Sequence, residues 1–209
     1  MPEWQRFYAA HHASDFEFVA VALEHAGAEA ARPYAARAGA TFPVVVDEHG
    51  LTSGLLGFKV VPNGVLVDQD GIIRYAKYGG FSIDRAEDVA AVERFIRGDD
   101  PGPSPDHAPL YALGSLEQEV VATRLRLGRL LDAVGRREEA LAEWQAALRL
   151  DPGNLVIRKQ IWAVRYPERF YPAINWTWQK EQLACERAAE VAAGICDPDG
   201  CPLPHHVPR

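Results

Sequence analysis

Three cysteines could do thiol chemistry: Cys185, Cys196 and Cys201. All lie in the last 25 residues of a 209-residue chain. Cys196-Asp197-Pro198-Asp199-Gly200-Cys201 holds the pair with local geometry, because Asp-Pro-Asp-Gly forms a turn that lets two thiols approach. Cys185 precedes it by 11 residues, and His205-His206 follow. Three readings stand side by side. An exposed, irregular tail is the plainest. A disulfide or thiol-exchange pair is the second, weakened because no helix N-terminus is there to lower a thiol pKa. A zinc or soft-metal site with Cys185 or a histidine is the third, since ligands with four residues between them in one turn are only weakly zinc-like. An odd number of cysteines also argues against a pure disulfide framework.

Other chemistry-bearing residues are sparser. His11-His12 and His25 have no matched carboxylates and read as surface histidines. Asp68 and Asp70 flank a turn and read as turn formers. No phosphate loop, metalloprotease helix or nucleophile elbow is present. No catalytic residue, resident metal or cofactor is assigned.

The elements that position these residues follow from periodicity. Residues 2–12 read as a helix with Trp4, Phe7 and Tyr8 at helical spacing. The run from Phe16 to Leu23 reads as a buried strand, and residues 27–38 as a helix interrupted by Pro33. Phe42-Pro43-Val44-Val45-Val46-Asp47 is a short strand, and Gly50 and Gly57 bracket a short helix. Two apolar runs around Asp70-Gly71 signal a hairpin. Residues 84–97 form an amphipathic helix with Val89, Val92, Phe95 and Ile96 on one face. Residues 98–109 carry four prolines and two glycines and read as a linker. Helices are expected over 115–134, 137–150 and 155–165, and an irregular tail from 194 to 209.

Residues 2–97 resemble the redoxin branch of the thioredoxin superfamily, which contains peroxiredoxin-like and thiol–disulfide oxidoreductases. The resemblance rests on Phe42–Asp47, on Gly57-Phe58-Lys59-Val60-Val61-Pro62, and on the Val67-Asp68-Gln69-Asp70-Gly71 hairpin. It implies that Pro62 is a cis-proline on the substrate-side loop Val61-Pro62-Asn63, beside the catalytic thiols. Asn63 stands where the family usually has Thr. The family's Trp-Cys-x-x-Cys would precede Met1-Pro2-Glu3-Trp4, and no cysteine occurs in residues 1–97. A central strand preceding that motif is expected to be missing as well, leaving backbone unpaired between 16–23 and 65–67.

Three repairs are open: a start upstream of Met1, a strand supplied by a partner or another segment, or direct pairing of the two strands. An upstream selenocysteine codon read as a stop would account for a start at Met1. So would an ordinary mis-assigned start. Truncation is the preferred account over evolved loss.

Residues 121–154 resemble one tetratricopeptide repeat, with Leu127, Gly128 and Leu131 in its first helix, Ala140, Trp144 and Ala147 in its second, and Pro152 at the closing turn. Small residues at 128, 140 and 147 would let the helices approach closely. One repeat cannot bury both faces, so 110–193 is expected to pack on flanking helices, on the α/β half or on another chain. A packing or self-association role ranks ahead of peptide binding. Six aromatic residues between 162 and 178 read as core cover.

Net charge of −7, with basic residues scattered among acids, excludes a nucleic-acid stripe. No apolar run is long enough to span a membrane, and the N-terminus lacks a signal-peptide pattern. The expectation is therefore a cytoplasmic protein. It combines an α/β thioredoxin-like segment with an incomplete sheet (1–97), a linker (98–109) and an all-α tetratricopeptide-like domain (110–193). Functionally it reads as a redoxin homologue without its catalytic pair. The alternative is a non-catalytic protein–protein interaction module.

Overall fold

The computed structural model describes residues 1–11, 15–24, 26–48, 50–105 and 113–196. The chain is mixed α/β and mostly helical, with two small sheets among the described residues. It divides into two compact units, residues 1–107 and 108–209, and the division falls inside the Pro/Gly-rich stretch. None of its described helices is long and apolar enough to cross a membrane.

In the first unit the order is α1 (Pro2–His11), β1 (Ala20–Ala22), α2 (Ala28–Ala38), β2 (Val44–Val46), α3 (Leu51–Leu56), β3 (Gly64–Val67), β4 (Ile73–Lys77) and α4 (Ala86–Ile96). β1 pairs with β2 in parallel, Val21 opposite Val45. β3 pairs antiparallel with β4, with an irregularity between Leu66 and Val67. The two pairs form separate sheets, so β1 and β3 do not pair directly. Of the three repairs, direct pairing is not the one adopted.

The run from Phe16 to Leu23 was expected to be a buried strand. Only Ala20–Ala22 is ladder-bonded, because β2 offers three residues. Val19 is 51% exposed, Val21 45% and Val45 47%. A parallel pair normally has both faces covered. Here α2 packs against β2, the α1 rings meet Phe16, Phe18 and Phe42 beside the strands, and Val21 and Val45 stay about half exposed.

Turn chemistry is local and well satisfied. Asp47 caps α3, accepting from the amides of Leu51 at 2.9 Å and Thr52 at 2.8 Å. Asp68 accepts from the amides of Asp70 at 3.0 Å and Ile72 at 2.9 Å, and its other oxygen meets Arg74 Nε at 2.5 Å. That is the turn-forming role read from the sequence. The expected linker is held to the first unit over its first half. Arg94 donates to the carbonyls of Pro101 (2.5 Å) and Asp100 (3.2 Å), and Ser104 Oγ accepts from the Ala76 amide at 2.9 Å.

The second unit contains α5 (Ser115–Ala133), α6 (Arg137–Leu150), α7 (Leu155–Arg165), a 3₁₀ turn (Pro167–Arg169) and α8 (Trp176–Ala192). α5 and α6 meet through Gly128 and Trp144. A Cβ at Gly128 would overlap the Trp144 ring, and Trp144 Nε1–H donates to the Leu125 carbonyl at 3.1 Å. Ala140, Trp144 and Ala147 are fully buried. Asn154 caps α7 through the amides of Val156 and Ile157 and also bonds Asp151 at 2.9 Å.

The link from α7 to α8 is ionic. Arg158, 1% exposed, donates to Glu186 at 2.5 Å and Glu190 at 2.6 Å, and Trp162 Nε1–H donates to Glu186 at 2.7 Å. Trp178 packs edge-on against Trp162 and Phe170, so these residues and Tyr171 form a small core as the composition suggests, whereas Trp176 and Tyr166 of the same segment are exposed.

Candidate functional site

The site begins from Pro62 and the residues that hold its loop. The Val61–Pro62 peptide is cis, and Pro62 is exposed. Two bonds tie the loop to the turn after β4. The Phe81 amide donates to the Pro62 carbonyl at 3.2 Å, and the Gly79 amide donates to Asn63 Oδ1 at 2.7 Å. Asn63 thereby has a structural partner that a threonine hydroxyl would reach less far to meet. Gly64 starts β3 under the Phe81 ring, where any Cβ would collide.

Phe81 in turn stacks on Trp4 of α1, with ring centroids 5.4 Å apart and planes 6° from parallel. Trp4 also stacks on Phe18 at 5.5 Å, and Phe18 meets Phe42 at 4.5 Å. Ring contacts through α1 therefore connect the two sheets, whose backbones do not pair. The sequence reading put Trp4, Phe7 and Tyr8 on one face but missed Phe81. No periodicity links residues so far apart, and the only signal was an aromatic residue directly after Gly79-Gly80.

Polar support lies behind this loop. Asp88, fully buried in the first turn of α4, accepts from Lys77 Nζ at 2.6 Å and from the Ser82 amide at 2.9 Å. Burial pushes the Tyr75 phenol up, and the Asp88 carboxylate adds to the effect. His11 is half-buried, not a surface histidine: its ring stacks on Phe7 and Nδ1 lies 2.9 Å from the Phe7 carbonyl. His12 and His25 lie outside the described residues.

Val61, Pro62 and Asn63 thus form one loop, exposed at Pro62 and half-buried at its two neighbours, held by bonds to the turn after β4. The loop carries no nucleophile, because no cysteine occurs in residues 1–97.

The candidate thiols belong to the second unit. Cys185 is a free, exposed thiol on α8. Cys196 is disulfide-bonded and buried, and Arg187 Nη1 lies 3.7 Å from its sulfur. Cys201, His205 and His206 lie outside the described residues. The fully exposed tail reading therefore does not hold at Cys196: this residue closes onto the end of α8, its amide donating to the Glu190 carbonyl at 3.3 Å. Among the described residues no group of three His, Cys, Asp or Glu side chains is arranged to hold a metal.

No protein-family model, curated protein or solved structure matches this chain.

Proposed function

We propose that residues 1–97 are a redoxin-type thiol–disulfide oxidoreductase scaffold without its catalytic Cys-x-x-Cys, joined to a single tetratricopeptide-like helical hairpin. The observation that carries this reading is the chain of contacts from Trp4 through Phe81 to Pro62. It brings the start of α1 to the Pro62 loop. A thiol at the start of such a helix has a lowered pKa and would face that loop. The split between β1/β2 and β3/β4 supports the same reading, since it is where the resemblance requires a further strand. For the helical half, support comes from Gly128 fitting under Trp144.

In this reading the 209-residue chain has no turnover of its own. Insulin-reduction and peroxidase assays should stay at the background rate. A chimera tests the scaffold: a strand followed by Trp-Cys-x-x-Cys is added ahead of Met1, and folding is confirmed by circular dichroism. Dithiol-dependent insulin reduction is the expected result, lost when the added cysteines are serine. A folded chimera without that activity, or turnover by the unmodified chain, would overturn the proposal.

A further inference from the structure

α5 carries two apolar stripes, and among the described residues only one is buried against another helix. Val121, Leu125 and Gly128 face α6 and are buried. On the outward side lie Leu116, Val120, Thr123, Leu127, Leu130 and Val134, spaced four, three, four, three and four residues apart. Leu116 is 68% exposed, Leu127 42%, Leu130 53% and Val134, at the C-cap, 71%. Sustained three-four spacing is the seam of a two-stranded coiled coil. Over 19 residues it runs about 27 Å along the helix.

We propose that this seam pairs in parallel with the same seam of a second copy of the chain. This inference does not depend on the redoxin reading. Three features of the seam select that occupant. First, the stripe is self-complementary, so a two-fold axis along it sets each layer against itself. Second, Val120, Leu127 and Val134 occupy one core position and Leu116, Thr123 and Leu130 the other, so four of the six layers follow the Val/Leu distribution that favours two parallel strands. Third, the flanking charges fit. Glu119 and Arg124 are five residues apart at the two edge positions, so each Glu119 meets the partner's Arg124 twice over in the symmetric pair. An antiparallel pair centred on the stripe would bring Arg124 and Arg126 of both copies together. Arg124 bonds Glu143 of α6 at 2.7 Å, so in the pair its guanidinium would be shared between Glu143 and the partner's Glu119.

The buried area would be roughly 1,000 Å² in total, the small end of specific interfaces. The dimer is therefore weak and concentration-dependent, with a dissociation constant in the micromolar range.

Sedimentation velocity on the full chain between about 1 and 200 µM reads this directly. A monomer–dimer equilibrium in that range is expected. Leu127→Glu and Leu130→Glu should each weaken it about tenfold or more while leaving the helical circular dichroism and the urea midpoint in place. Glu119→Arg should weaken it more at low salt than at high salt. In a Cys185→Ser background, Leu116→Cys should form an inter-chain disulfide under mild oxidation, as parallel pairing requires.

A chain monomeric throughout the range overturns the proposal. So does a dimer that survives both glutamate variants, which would place the interface elsewhere. A Leu127→Glu variant that lowers the urea midpoint in dilute monomer would show that another part of the same chain covers the stripe, and overturns it too. Absence of the Leu116→Cys cross-link overturns the parallel direction.

Discussion

Arg158 is the side chain on which the second unit most depends electrostatically, and Arg158→Met isolates that dependence. The Arg158 side chain is 2% exposed, while those of its partners Glu186 and Glu190 are 29% and 16% exposed. Methionine fills similar volume, so the loss is chiefly of charge and hydrogen bonds. Two carboxylates would then face each other across the vacated position, with only Arg187, 3.6 Å from Glu190, left to offset them. Breaking a buried pair in this way costs about 3–5 kcal/mol, and partial water access to both glutamates places this case near 3 kcal/mol. Arg158 Nε has no hydrogen-bond partner among the described residues, which also argues for the lower end. At a urea slope of about 2 kcal/mol/M the midpoint should fall by roughly 1.5 M.

Tryptophan fluorescence reads the correct unit, because Trp144, Trp162, Trp176 and Trp178 all lie there and only Trp4 lies in the first. Adding Glu190→Gln to Arg158→Met removes the like-charge contact and should restore about 1 kcal/mol, a non-additive result. Arg136→Met breaks an exposed pair with Glu139 and should leave the midpoint where it was. The reasoning is refuted if Arg158→Met behaves like Arg136→Met, or if the double variant is less stable than the single one.

Gly128→Ala forces a methyl group into the Trp144 ring and threatens its bond to Leu125. It should destabilise the helical unit by about 1–3 kcal/mol despite alanine's better helix propensity. Gly54→Ala, where a Cβ meets nothing within 4 Å in α3, should be neutral or stabilise by less than about 1 kcal/mol, and a differential urea experiment compares the two. The Asp68 carboxyl is held below the usual range, first by the Ile72 amide and then by Arg74 and the Asp70 amide. Its folded pKa is below its unfolded one, so its contribution is full above the ordinary carboxylate range and fades as pH falls through the lowered value. An NMR titration of the Ile72 amide should show that transition, and Asp68→Asn should abolish it.

The helices were legible in the sequence because each carries its own evidence. α6 and α7 match the expected 137–150 and 155–165, since a 3.6-residue period, Gly135 and the Asn154 cap mark their ends without help from the rest of the chain. Strands lack that independence. The apolar run from Phe16 to Leu23 promised eight residues, but a ladder is only as long as its partner, and Val44–Val46 sets it at three. The Pro62 loop was visible as a motif, whereas its support by Phe81 and Trp4 was not, because ring stacking between distant segments leaves no local pattern. The buried Arg158 network was hidden for a similar reason: arginine and glutamate read as solvent-facing until a second helix closes over them.

The outward stripe of α5 marks a different limit. Its three-four spacing is plain in the sequence, but Gly128 and Leu131 on the same helix match a repeat consensus, and that match accounts for one apolar face only. Spacing reveals how many faces a helix offers, while the count of covered faces needs coordinates. Leu116, Leu130 and Val134 remain more than half exposed after α6 has taken its side of α5. A helix that offers two faces and buries one has a partner still to be found. The match between its own hydrophobic layers and its own flanking charges makes a second copy the partner that fits.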